Sequence, residues 1–195
     1  MIISIINKKG GVGKTPFAFS IAKDLDMFLQ SNDNSIIESI YPNKSKISKQ
    51  PSLLDNCVYD FGGFVEKGIV NILKESDFII IPCTELYNSI LRSIETINEI
   101  KAINKNITLL VTAYRDEKGK EIIKDTITNN TLGLDFYFFK YSKIIDNAMI
   151  NALSFTELYN ETPLSKKAYK NFFDEYSKLL NTIKNKGRSN AKKGA

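Results

Sequence analysis

The chain has 195 residues, 43% hydrophobic and 25% charged, which suits one globular domain with a sizeable core. Histidine is absent, which excludes imidazole acid-base catalysis and His-ligated metals; Cys57 and Cys83 lack metal-ligand spacing and read as small buried residues of a reducing cytoplasm. The net charge of +5 matches the five bases Lys184, Lys186, Arg188, Lys192 and Lys193, so 1–183 reads as the folded domain and 184–195 as a basic disordered tail, suited to DNA phosphates or anionic lipid.

Met1 to Ile6 is an apolar run of the right length for a buried strand and too short for a signal peptide or a membrane span. Asn7-Lys8-Lys9-Gly10-Gly11-Val12-Gly13-Lys14-Thr15 follows, and apolar spacing then predicts a helix over 14–29. Strand, glycine-rich turn and helix form the setting of a phosphate-binding loop. Gly10, Gly11 and Gly13 allow main-chain N–H groups to converge on phosphate oxygens, with the positive end of the helix behind them. Lys14 is placed to reach the β- and γ-phosphates, and the Thr15 hydroxyl to ligate Mg²⁺.

The standard pattern has a further Gly where this chain has Lys8. The remaining Lys-Gly-Gly-x-Gly-Lys-Thr resembles the deviant phosphate-binding loop of the ParA/MinD family of ATPases. The resemblance implies ATP and Mg²⁺ as cofactors, with Lys9 to Pro16, Val12 included, around the nucleotide. It also implies an ATP-dependent homodimer in which Lys9 reaches the partner's nucleotide. Pro16 stands where the family usually has Thr, and supplies neither a hydroxyl nor an N–H to the α-phosphate.

Ser31 to Asn34 reads as a loop and Ser35 to Ile40 as a short strand ending at Tyr41-Pro42. The family carries Asp-x-Asp-Pro-Gln there. Alignment on Pro42 puts Ser39 and Tyr41 in place of the two acids, with Glu38 as a substitute, and so predicts that ATP binding survives better than hydrolysis. Lys44 to Ser52 reads as a surface loop. Asn56 to Gly63 reads as the second strand of the site, ending at Asp60, in the place of an acid that holds magnesium through water.

A helix over 64–75, a buried strand over 77–82, a long helix over 87–104 and a strand over 107–112 follow. Arg115 then stands near the expected base or phosphate. A helix over 116–130, a strand over 134–139, a helix over 144–152, a connection over 154–159 and a last helix over 165–184 complete the pattern. Lys143, Lys166, Lys167 and Lys170 are nominated as DNA contacts, because some members of the family bind DNA nonspecifically through bases in these regions.

Alternating strands and helices predict an α/β fold, a mostly parallel doubly wound P-loop NTPase sheet covered on both faces. The resemblance implies a ParA-like ATPase of plasmid or chromosome partition, cytoplasmic and nucleoid-associated, catalytic through Lys9, Lys14 and Asp60 and partnered by a centromere-binding ParB-like protein. The alternatives are a MinD-like positioning ATPase at a membrane, a metabolic P-loop enzyme, and a nucleotide-binding regulator that never hydrolyses. The polar basic ending disfavours the membrane, and Cys57 and Cys83 do not suit a cluster-bearing reductase.

Overall fold

The computed structural model describes residues 1–63, 67–131 and 133–191. Its strands are β1 (Ile2–Ile6), β2 (Phe28–Ser31), β3 (Ser45–Ile47), β4 (Cys57–Phe61), β5 (Phe78–Cys83), β6 (Ile107–Tyr114) and β7 (Asp135–Lys140). They form one sheet in the order β3-β2-β4-β1-β5-β6-β7, and every pairing is parallel. Both faces are covered, so β1, β4 and β5 are buried along their whole length, as the apolar runs predict.

Alternation along each strand feeds two cores. Ile3, Ile5 and Val58 face α1 (Lys14–Asp24), α6 (Ile144–Asn151), α7 (Phe155–Glu161) and α8 (Pro163–Ala191). Ile2, Ile6 and Tyr59 face α3 (Lys67–Glu75), α4 (Tyr87–Lys101) and α5 (Glu117–Asn130). The first core is aromatic, with Phe17, Phe139, Phe155, Phe172 and Tyr176 packed edge to face around α1. The apolar stripe of α8 therefore belongs to the core: Phe172, Tyr176, Leu179 and Leu180 are all buried.

Three sequence expectations are corrected. The first helix ends at Asp24, not near residue 29, because Asp26 turns into the left-handed region (φ 55°) and Phe28 begins β2. Residues 37–40 form a short helix, α2 (Ile37–Ile40), instead of a strand. The last helix continues past Lys184 to Ala191, so the segment expected to be irregular from Lys184 is helical as far as it is described. Gly187 lies close against Met1, and the Lys186 ammonium sits 4.6 Å from the Phe78 ring, so this stretch packs on the domain. Residues 64–66 of the expected third helix, and Lys192 and Lys193 of the tail, lie outside the described residues.

Each outer strand of the sheet has an outward N–H taken by a glutamate. Glu38 accepts from Ile47 on β3 (2.9 Å), and Glu175 accepts from Phe138 on β7 (3.1 Å). Glu38 is thus employed at the sheet edge and does not substitute for a site acid.

Candidate nucleotide site

The carboxyl ends of β1, β2, β5, β6 and β7 converge on one cavity of about 430 Å³. Gly10 to Pro16 form one wall; Asp33, Thr84, Thr112, Ala113, Tyr141, Ser142, Ile145 and Asp146 form the rest. Gly11 (φ 72°) and Gly13 (φ 90°) adopt the left-handed conformation that lets successive N–H groups turn inward, and Gly13 is the N-cap of α1. The loop is braced from two sides. The Thr112 hydroxyl reaches the carbonyl oxygens of Val12 and Cys83, 3.0 Å each. A bulge between Thr112 and Tyr114, with Ala113 at φ 60°, sets that hydroxyl against the loop and Ala113 against the cavity. Gly63 packs so tightly on the start of the loop that a Cβ there would stand 2.7 Å from the Asn7 carbonyl oxygen.

Lys14 is buried and its ammonium rests on the Lys9 carbonyl oxygen at 3.2 Å. Burial lowers its pKa, against the opposing pull of Asp60 and Asp33. Asp60 is 1% exposed; its Oδ2 accepts from Thr15 (2.7 Å) and Ser31 (3.2 Å), and its buried Oδ1 has no hydrogen-bond partner. Burial raises the Asp60 pKa, and Thr15, Lys14 and Ser31 only partly offset it.

An orphaned carboxylate oxygen beside a threonine hydroxyl is an incomplete oxygen set. It fits Mg²⁺, which keeps waters and binds through one or two protein oxygens plus phosphate. Among the described residues no three His, Cys, Asp or Glu side chains gather as a closed metal cage. Thr15 and Asp60 would hold the ion directly or through water, and the ion would supply charge neutralisation to the phosphates.

The expected pair of strand-end acids is corrected by one element. β2 ends at Ser31, which pairs in register with Asp60, so the residues at the end of that strand are Ser31 and Asp33, not Ser39 and Tyr41. Asp33 lines the cavity with the loop; Ser31 gives its hydroxyl to Asp60. Tyr41 is buried against α1, its hydroxyl on the Met27 carbonyl (3.2 Å), and Ser39 lies on α2. Of the two strand-end positions one therefore carries an acid, Asp33, and Ser39 and Tyr41 give no ground for impaired hydrolysis.

Gly10, Gly11, Val12, Gly13, Lys14, Thr15 and Pro16 are brought together on one wall of the cavity, with Lys9 meeting Lys14 through its carbonyl and Asp60 meeting Thr15. Arg115 is not: it is 80% exposed in side chain and held outside the cavity by Glu85, Nε to Oε1 at 3.0 Å. Lys143 is the N-cap residue of α6 beside the cavity wall. Lys166, Lys167 and Lys170 lie exposed on the first turns of α8, Lys170 paired with Asp174 at 2.7 Å. Sequence reasoning missed Asn7, Ser31, Asp33, Thr112 and the wall from Tyr141 to Asp146. The apolar-to-polar break at Ser31-Asn32-Asp33 was the available signal for two of them.

Neither a protein-family model nor a curated protein sequence matches this chain. Solved structures do. MinD cell division protein from Aquifex aeolicus superposes with a TM-score of 0.63 at 16% identity, over 92% of this chain and 96% of that one. McdA from Cyanothece gives 0.61 at 12% identity, over 88% and 98%. The fold is that of the ParA/MinD ATPases. A putative plasmid partition protein from Borrelia burgdorferi, bound to AMPPNP, shares it as well, with a TM-score of 0.58 at 14% identity over 91% and 98%. The ParA/MinD fold thus accounts for nearly the whole chain, and no helix among the described residues is long and apolar enough to cross a membrane.

Proposed function

We propose that this chain is a ParA-like ATPase that binds ATP with Mg²⁺, closes into a nucleotide-sandwich dimer and binds DNA nonspecifically in plasmid or chromosome partition. The observation that carries the reading is the Asp60 carboxylate, buried beside Thr15 and Lys14 at the end of a glycine-rich loop, with one oxygen unspent. Structures of the same fold have been solved with ATP, AMPPNP and Mg-ADP, which supports a triphosphate nucleotide as ligand. Asp33 in the cavity supplies a carboxylate to orient an attacking water, so hydrolysis belongs to the reading. Lys9 would cross to the partner's nucleotide, while Lys143, Lys166, Lys167 and Lys170 would meet DNA phosphates, with a ParB-like protein as the centromere-binding partner and the nucleoid as the location. The burial of the α8 stripe in the core favours this reading over a membrane-targeting last helix.

DNA retention with ATP, with ADP and without nucleotide, for wild type and Lys9→Ala, tests it. Salt-sensitive retention with ATP alone, lost in Lys9→Ala, is expected. Equal retention in all three states removes the nucleotide switch.

A further inference from the structure

Asn7 follows β1 directly, has no exposed surface, and stands before the residues of the loop motif. Its amide is nearly saturated. Nδ2 donates to the Pro82 carbonyl oxygen (2.6 Å) and to Ser93 Oγ (2.8 Å), and Oδ1 accepts the Lys9 N–H (2.9 Å). Ser93 in turn donates to the Ser89 carbonyl (2.8 Å), and Ser89 Oγ accepts the N–H of Thr84 (2.9 Å), itself a cavity residue. The next hydroxyl of the same buried stripe, Thr96, meets the Lys8 N–H at 3.4 Å, and the Lys8 ammonium pairs with Glu99. One face of α4 therefore carries hydroxyls where an apolar face would serve packing alone, and these meet the chain on both sides of the cavity.

We propose that Asn7 is a positioning residue for the phosphate-binding loop, its amide fixing the main chain of Lys9 against the end of β5 and against α4. Three features support the assignment. The Lys9 carbonyl is the resting place of the Lys14 ammonium, so the amide that fixes Lys9 also fixes where that cation waits. The Lys9 side chain starts from the same held backbone. The Asn7 carbonyl is the surface on which Gly63 packs, so the turn after Asp60 is registered to the same residue. A side chain that only filled space needs none of the three hydrogen bonds. Here each joins a different element, and the loop is organised for polyphosphate before ligand arrives.

The proposal rests on the nucleotide-binding reading above, and the test separates the two. Calorimetric affinity for ADP-Mg²⁺ is measured for wild type, Asn7→Ala, Ser93→Ala and the double variant, alongside ligand-free melting temperatures. Ser93→Ala removes one acceptor of the amide and touches no ligand. It is expected to fold with a melting temperature a few degrees lower yet bind ADP about 5-fold more weakly, and Asn7→Ala about 10-fold or more. The double variant is expected to bind no worse than Asn7→Ala alone, because both changes break one chain. A folded Ser93→Ala protein with wild-type ADP affinity, or penalties that simply multiply in the double variant, overturns the proposal; should Asn7→Ala not fold, Ser93→Ala decides alone. A wild type that binds no nucleotide overturns both readings.

Discussion

The two ends of α1 each hold a carboxylate at the interior, and they are treated in opposite ways. At the amino end Asp60 faces Thr15 and Lys14 with one buried oxygen unpartnered. At the carboxyl end Asp24 has both oxygens occupied: Ser154 donates to Oδ1, while Thr156 (2.7 Å) and Tyr176 (2.8 Å) donate to Oδ2. Ser154 is also the N-cap of α7, in a capping box with Glu157, whose carboxylate pairs with Lys23 at 2.6 Å. Burial raises the pKa of both acids, yet only Asp60 lies beside a buried lysine and is joined to a glycine-rich loop through the Thr15 hydroxyl. A half-buried acid saturated by hydroxyls holds elements together; a fully buried one left with acceptor capacity beside a threonine hydroxyl and a lysine awaits a cation.

If that contrast holds, substitutions at the amino end remove function while sparing the fold. Lys14→Ala is expected to weaken ATP by about 1,000-fold or more, through loss of a buried cation's charge-assisted hydrogen bonds to phosphate. Its melting temperature should not fall, because burial already disfavours the charged lysine. Asp33→Ala is expected to lower turnover about 100-fold while ADP affinity stays within about threefold of wild type, the pattern of a water-orienting group. Steady-state turnover unchanged in Asp33→Ala would return the hydrolytic role to another acid.

At the carboxyl end the order reverses. Asp24→Ala leaves three hydroxyls without their acceptor, Tyr176 among them with no exposed surface, and is expected to cost about 2–3 kcal/mol of stability with nucleotide affinity little changed. Asp60→Asn sharpens the comparison through pH. A raised folded-state pKa means that the stability contribution of Asp60 is fully present below the ordinary carboxylate value of 3.8 and is lost as pH rises through the folded value. Ligand-free Asp60→Asn should therefore be at least as stable as wild type at neutral pH, and the two should converge on acidification. Thermal melts across pH 4–7 check it, and a variant less stable than wild type at pH 7 would show Asp60 already satisfied.

How much of this was legible in the sequence follows the same division. The glycine loop, Lys14, Thr15 and Asp60 were readable because a local motif and a strand-end position each carry their own chemistry. Asp33 was not, because a four-residue strand at Phe28–Ser31 has no periodicity distinguishable from the end of a helix, and Pro42 offered a false anchor. The Asp24 knot joins residues 130 or more apart in the chain, and no local pattern announces such contacts. The last helix was cut short for a related reason: Gly187, Ser189 and Asn190 weaken intrinsic helicity, while packing on Met1 and Phe78 supports it.

The smallest expected effect tests whether the amino end of α1 has itself been compromised toward stability. Pro16 lines the cavity in the first turn of α1, where its fixed φ favours the helix start and its missing N–H costs the helix nothing. The same ring leaves a ligand without a hydroxyl or an N–H at that point. Pro16→Thr adds both groups to a cavity wall that would otherwise meet phosphate with main-chain amides, which predicts a dissociation constant for ATP about 3- to 10-fold lower, the worth of one added hydrogen bond. Freeing φ should lower the ligand-free stability by about 0.4–1 kcal/mol, seen as a lower melting temperature without nucleotide and a larger rise when it is added. Calorimetry showing unchanged or weaker binding would mean that the α-phosphate end of the cavity lies away from residue 16, and that the functional end of α1 begins at Lys14 and Thr15 alone.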